Sequence, residues 1–397
     1  MKASSLATAA VLLLATTAGC SSDSTENAMA SIDLKALETG NYQSVPRNAD
    51  EAKVDNTGAA IEAIRLGAHV PIPYDADPSY AFLSSTSSPR VTPAIPASLS
   101  SVDKERFREL TPGLIAGWTT DGHRRQNSAA GLQAFLRAFS FSTPAEAEVA
   151  KNNLVAEQVP KSDSIKSETM SIPGHPTAHT QLRAMDYDSW MAHGSMLFGV
   201  RVVDLVSIPR DPTRPIEFIS KAYAKLIEMT AGYTPTPVAD RPGLAIDVDG
   251  MLSRTLPGTK DNWSDGFPDG AVEPLQAALA HEHRPKDAKP ALVNAGVDLV
   301  SREADTRVYR AKDSKAASAL MDALLAPIGQ YLSPIESPAG LPVAKCFKEK
   351  DKHVPYYLQT NVCYVAFDRY LAVIEAPSAP ELLQRTAAQY TLLAVNR

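Results

Sequence analysis

Two stretches of this chain run through the same order of hydrophobic periods, and that repetition restricts the fold more than any single motif. In the first, residues 132–141 (LQAFLRAFSF) form an apolar, Phe-rich run that suits a strand. Thr143, Pro144 and Glu146 then supply an N-cap, a first-turn proline and an N3 acid for a helix running to about residue 159. Three short strand candidates follow at 177–183, 189–193 and 196–204, and a helix closes the stretch at 216–229. In the second, a strand at 305–311 leads to a helix at 314–330 whose Ala317, Leu320, Met321, Leu324 and Leu325 share one face. Strands at 341–348, 356–368 and 370–376 come next, and Ser378, Pro380 and Glu381 open a last helix that ends near Val395. Each stretch reads β-α-β-β-β-α. That order predicts an α+β protein of two similar domains, each an antiparallel-rich sheet with helices packed on it.

The rest of the chain sorts around these copies. Residues 55–70 read as a helix, and the stretch 71–101, rich in Pro, Ser, Tyr and Asp, as ordered loop or short extended pieces. Prolines crowd again between 235 and 274, which places a domain boundary near 235–245. The reading is a leader at 1–19, a polar tether at 20–31, an N-terminal domain at 32–240 and a C-terminal domain at 241–397. A chain of 397 residues with 44% hydrophobic and 21% charged residues is globular and too long for one typical core. Its net charge of −6 argues against a nucleic-acid partner.

The leader carries an address. Lys2 precedes an uncharged apolar run at 6–18, too short to span a bilayer and the right length for a secretory leader. Gly19-Cys20 ends that run in the manner of a lipobox, although Thr17 stands where Leu is usual. Cys20 is thus the expected lipid attachment site, the membrane a partner through it, and the extracytoplasmic face of the cell membrane the expected location. Only Cys346 and Cys363 remain, and an even pair in an exported chain reads as a disulfide. The segments LETGNYQSVPR (37–47) and DVDGMLSRTLP (247–257), with the terminal Cys pair, resemble an uncharacterised family of actinobacterial lipoproteins with a duplicated domain of unknown function. The resemblance implies a cell-envelope lipoprotein of duplicated α+β domains with no assigned catalytic residues.

Catalytic and metal patterns are weak. His175 and His179 have i,i+4 spacing, but Gly174 and Pro176 argue for loop and strand, where the spacing is too long for one ion. His281 and His283 read as the last turn of a helix. Neither the Asp247/Asp249 segment nor 261–266 has the ligand spacing of a calcium loop. Ser195 sits in a candidate hairpin turn, and no GxSxG, SxxK, P-loop or dinucleotide fingerprint occurs. No catalytic residue, metal or cofactor is assigned. Tyr356, Tyr357, Tyr364, Phe367 and Tyr370 could line an apolar groove or pack as core. The expected ligand cleft lies between the two domains, where Asp247, Asp249 and Arg254 either line it or fix the linker through turn and ion-pair contacts. The function expected is non-enzymatic binding of a protein or lipid ligand, with an envelope hydrolase of unfamiliar site as the alternative.

Overall fold

Strand-rich sequence on either side of a helix builds each half of the molecule in the same way. The computed structural model describes residues 32–83, 88–97, 99, 102–157, 167–258, 270–350, 355–358 and 360–396; the leader and Cys20 lie outside them, as does 261–266. The first half contains α1 (Thr57–Gly67), α2 (Pro73–Ala76), β1 (Arg90–Val91), α3 (Lys104–Leu110), β2 (Leu114–His123), β3 (Leu132–Phe141), α4 (Pro144–Glu157), β4 (Ser167–Met170), β5 (His179–Arg183), β6 (Asp186–His193), β7 (Met196–Asp204) and α5 (Thr213–Thr230). The second contains β8 (Ala271–Pro274), α6 (Leu275–Ala278), α7 (Pro285–Asn294), β9 (Leu299–Glu303), β10 (Thr306–Arg310), α8 (Ser314–Leu325), β11 (Leu332–Ile335), β12 (Lys345–Glu349), β13 (Asn361–Phe367), β14 (Tyr370–Ala376) and α9 (Ala379–Val395).

The sheets follow one path. The first has the order β1-β2-β3-β7-β6-β5-β4 and the second β8-β9-β10-β14-β13-β12-β11, every pairing antiparallel. The duplication expected from the sequence is therefore present, but each copy is larger than the pattern indicated. Three strands precede the first helix instead of one, and four follow it instead of three. The strands that escaped detection have physical reasons to. β1 is two residues long, β4 (SETM) is mostly exposed and polar, β2 carries Gly117 and Gly122, and β11 carries Pro334. Proline and glycine demote a run when it is read without its partners.

Each sheet is the middle layer between two helices. Ala147, Ala150 and Leu154 of α4 pack with Phe139, Trp190 and Leu197, while Phe218, Ala222 and Leu226 of α5 pack with Leu136, Phe198 and Val200 on the opposite face. In the second sheet, Ala317, Leu320 and Met321 of α8 meet Tyr309, Tyr364 and Val373, and Leu382, Ala387 and Leu393 of α9 meet Val308, Val365 and Ile374. Period-two alternation along each strand sends one set of side chains to each helix.

The chain crosses between the halves before the first sheet begins. Leu37 and Ala49 are buried in the core that α9 covers, and Arg47 forms an ion pair with Glu303. α1 then packs on β2, where Gly67 lies flat on Trp118: a Cβ there would sit 2.5 Å from the indole. Ile72 joins the core under α8, and the Gln276 amide donates to Val70 O and Asp75 Oδ2, both at 3.0 Å. Cys346 and Cys363 face each other across β12 and β13 with Cα atoms 4.1 Å apart, and they form the expected disulfide.

Candidate functional site

Register makes the two halves comparable residue by residue. The β6–β7 hairpin pairs His193 with Met196, and the β13–β14 hairpin pairs Phe367 with Tyr370. Counting from those turns, Trp190 corresponds to Tyr364, Gly199 to Val373, Phe139 to Tyr309 and Arg137 to Arg307. In the first half this face is closed by packed aromatics. In the second it holds a cavity of about 330 Å³ between the sheet, α8 and the loop that leads into α7.

The cavity wall is mostly apolar: Ala288, Leu324, Ile328, Leu358, Val362 and Val373 contribute to it. One end is polar. Tyr309 donates its hydroxyl to Glu282 Oε1 at 2.8 Å, and Arg307 Nη2 donates to Glu375 Oε1 at 2.6 Å. Burial works against the Arg307 charge, but the acidic groups and tyrosines around it outweigh that cost and push its pKa up. Burial raises the Tyr364 and Tyr309 hydroxyls, so both stay protonated as donors. Arg284 completes the rim through a 2.6 Å bond to Asp287.

A ring stack separates this cavity from a second one. His283 and Tyr357 lie face to face with centroids 4.6 Å apart and planes 12° from parallel. On their far side a space of about 440 Å³ is bounded by Phe82, Leu83, His123 and Asn127 of the first half. Leu83 N donates to His283 O at 3.0 Å, and Arg284 covers the Phe82 ring, so this partition sits at the junction of the two halves. Burial, followed by the nearby Arg307 charge, pushes the His283 imidazole down to about 4 and keeps the stack neutral at ordinary pH.

The residues singled out from the sequence divide between this site and the frame. Tyr357 and Tyr364 line the cavity; Phe367 packs edge-on against Tyr390 on the opposite face, and Tyr370 lies under Arg254. His283 belongs to the site, and His281 donates to buried Glu273 at 3.1 Å. His281 ends a short 3-10 turn after α6 instead of a regular helix. The Asp247 carboxylate accepts from Leu252 N and Ser253 N at 2.6 and 3.1 Å. Asp249, at φ 54°, accepts from Arg310 Nη1 at 2.8 Å. Arg254 donates to Gly250 O and Asn396 O at 2.9 and 2.7 Å. None of these three lines either cavity described above, and their contacts are those of turn and linker. Gly194 and Ser195 form the β6–β7 turn, and His175 bonds Ser220 O at 3.1 Å. Sequence reading missed Glu282, Arg307 and Tyr309. The available clue was TRVYR in β10, where an arginine alternates in step with a tyrosine that faces inward.

Two family models match the chain. Residues 49–246 match the N-terminal domain of unknown function DUF7373, and residues 251–396 match its C-terminal domain. No curated protein matches. Among solved structures, the extracellular domain of PknH from Mycobacterium tuberculosis aligns at 11% identity with a TM-score of 0.26, over 42% of this chain and 96% of that one. Among the described residues, no helix is long and apolar enough to cross a membrane.

Proposed function

The chain belongs to the DUF7373 family, whose function is unknown, and we propose that it is a lipid-anchored binding protein of the cell envelope that holds a small molecule in its C-terminal domain. The observation that carries this reading is the cavity of about 330 Å³ between α8 and the second sheet, apolar along most of its wall and polar at one end. That is the size and chemistry of an ordinary small-molecule site. The anchor rests on the apolar run at 6–18 and on Gly19-Cys20. A diacylglyceryl group on Cys20, with a further acyl chain on the new N-terminus, would hold the chain at a membrane by about 0.8 kcal/mol per buried CH2.

Two experiments test the reading. Cys20→Ser should release the protein from membrane fractions or leave its leader uncut, and unchanged mass and partition would remove the anchor from the proposal. Protein extracted under non-denaturing conditions should carry a small molecule visible by mass spectrometry. That molecule should be absent from a Val373→Phe variant, whose ring enters the cavity from its floor. Equal occupancy in both would place the ligand elsewhere.

A further inference from the structure

The polar end of the cavity fixes the class of occupant. Every charge there is offset: Arg307 pairs with Glu375 at 2.6 Å, Arg284 pairs with Asp287 at 2.6 Å, and the Glu282 carboxylate lies in the field of Arg307 and of buried Arg302 on β9. What Glu282, 8% exposed, lacks is a hydrogen bond: its Oε1 accepts from Tyr309, and its Oε2 meets no donor among the described residues. Tyr364, 6% exposed, has a hydroxyl without a hydrogen bond to them, and among them Arg307 donates to Glu375 alone. The occupant therefore meets an acceptor in Glu282 and donors in Tyr364 and Arg307, close together at the end of an apolar wall.

An anionic head group fits this end poorly. A fatty-acid carboxylate would find Arg307 already neutralised and would lie against Glu282 and Glu375. Like charges that close in a low-dielectric pocket repel strongly. A cationic head would find Glu282 already offset by Arg302 and Arg307 and would add a like charge beside them. A hydroxyl both donates and accepts, so it satisfies Glu282 and Tyr364 together without placing a net charge beside any of them. Buried polar groups of a site built this way discriminate strongly, because the wrong ligand leaves them unpaired.

Resting on the reading of this cavity as a binding site, we propose that its ligand is an uncharged amphiphile, a hydroxyl-bearing polyol or sugar head on an apolar chain. The head lies against Glu282, Tyr364 and Arg307, and the chain lies along Leu324, Ile328 and Val362.

The test titrates the mature chain, by calorimetry, with octyl glucoside below its micellar concentration, octanoate, octylammonium and free glucose. Octyl glucoside should bind at least tenfold more tightly than either charged chain, and free glucose should bind at least a hundredfold more weakly than the glucoside. Val373→Phe, checked for an unchanged fold by circular dichroism, should abolish glucoside binding. Glu282→Gln should improve octanoate binding at least threefold, because it removes a carboxylate that would lie against the octanoate head while leaving an acceptor for Tyr309. Octanoate or octylammonium binding as well as the glucoside, in a manner sensitive to Val373→Phe, would overturn the ligand class and leave the cavity as the site. Free glucose matching the glucoside would overturn the amphiphile. No binding by any probe, or binding indifferent to Val373→Phe, would overturn the cavity reading and the inference together.

Discussion

Equivalent faces of the two sheets are built on the same register and end in opposite states. On the first, Trp190 spreads over Gly199, where a Cβ would lie 2.6 Å from the indole, and Phe139 meets the Phe107 ring edge-on at 5.5 Å. Arg137 is sealed beneath, 5.5 Å from the Trp190 ring and 3.7 Å from Asp188. On the second, Tyr364 replaces the tryptophan and Val373 the glycine, and α7, which lies between β8 and β9 as α3 lies between β1 and β2, brings Ala288 to the cavity wall where α3 brings the Phe107 ring to Phe139. Space remains, and the arginine at the same position lines it. The difference teaches that the duplicated topology does not choose between core and cavity. Side-chain volume at the Trp190/Tyr364 position and the element above it make that choice.

The largest expected effect breaks the comparison at that position. Trp190→Ala should cost about 3–5 kcal/mol in denaturant unfolding, since it empties a fully packed face. Tyr364→Ala should cost well under half as much, because its ring already borders open space. Equal costs would mean that the second face closes in solution and that the cavity is not a feature of the fold.

The second prediction concerns the disulfide, which only the second half possesses. A bridge closing 17 residues contributes about 3 kcal/mol in the chain-entropy model. A Cys346→Ser/Cys363→Ser variant should lose that amount in the transition reported by the second sheet. The transition reported by Trp118 and Trp190, both in the first half, should stay where it was. If both transitions move together by the same amount, the halves unfold as one unit and are not separable in energy.

Much of this architecture was legible in advance because helix caps and period-two runs act locally. Thr143-Pro144-Ala145-Glu146 started α4 at the expected residue, and β3, β7 and β14 fell on the expected ranges. The Cys346–Cys363 bridge followed from compartment and parity. The site was not legible, because its residues come from four separate places: Glu282 and His283 before α7, Arg307 and Tyr309 on β10, Tyr357 in a loop, and Tyr364 on β13. No local pattern announces that these meet. The aromatic cluster at 356–370 held part of the answer, but β13 and β14 send its members to both faces, so Tyr364 lines the cavity while Phe367 and Tyr370 do not.

A third, smaller effect comes from the partition between the cavities. His283 titrates at about 4 in the folded protein and near 6.5 in an unfolded chain. The unfolded state therefore binds more protons between those values, and stability present above pH 6.5 should fall as pH drops toward 4. Its partial exposure reduces the effect to about 1–2 kcal/mol. His283→Phe keeps the stack on Tyr357 and should flatten that part of the stability profile. The stacked pair belongs to the second half, so the fluorescence of Trp118 and Trp190 in the first half should be insensitive to the substitution. A profile unchanged by the substitution would show that the histidine is solvated in both states.

The smallest effect is the sharpest comparison, because it removes one oxygen atom from each half. Tyr223 lies under the first sheet, fully buried, and donates to Ser189 Oγ at 2.8 Å, which in turn shares a 2.6 Å bond with Thr180. Tyr223→Phe leaves Ser189 short of a partner in a place water does not reach, which costs about 1 kcal/mol. Tyr364 is nearly as buried, yet its hydroxyl has no bond to lose among the described residues. Tyr364→Phe should therefore change stability by less than about 0.5 kcal/mol. Its effect should appear in binding instead: octyl glucoside should bind several-fold more weakly, since its hydroxyl loses a donor while its chain keeps every apolar contact. A loss of stability equal to that of Tyr223→Phe would show that Tyr364 is tied into the fold as Tyr223 is. Its hydroxyl would then be unavailable to a ligand, and the second face would be a core with a gap in it.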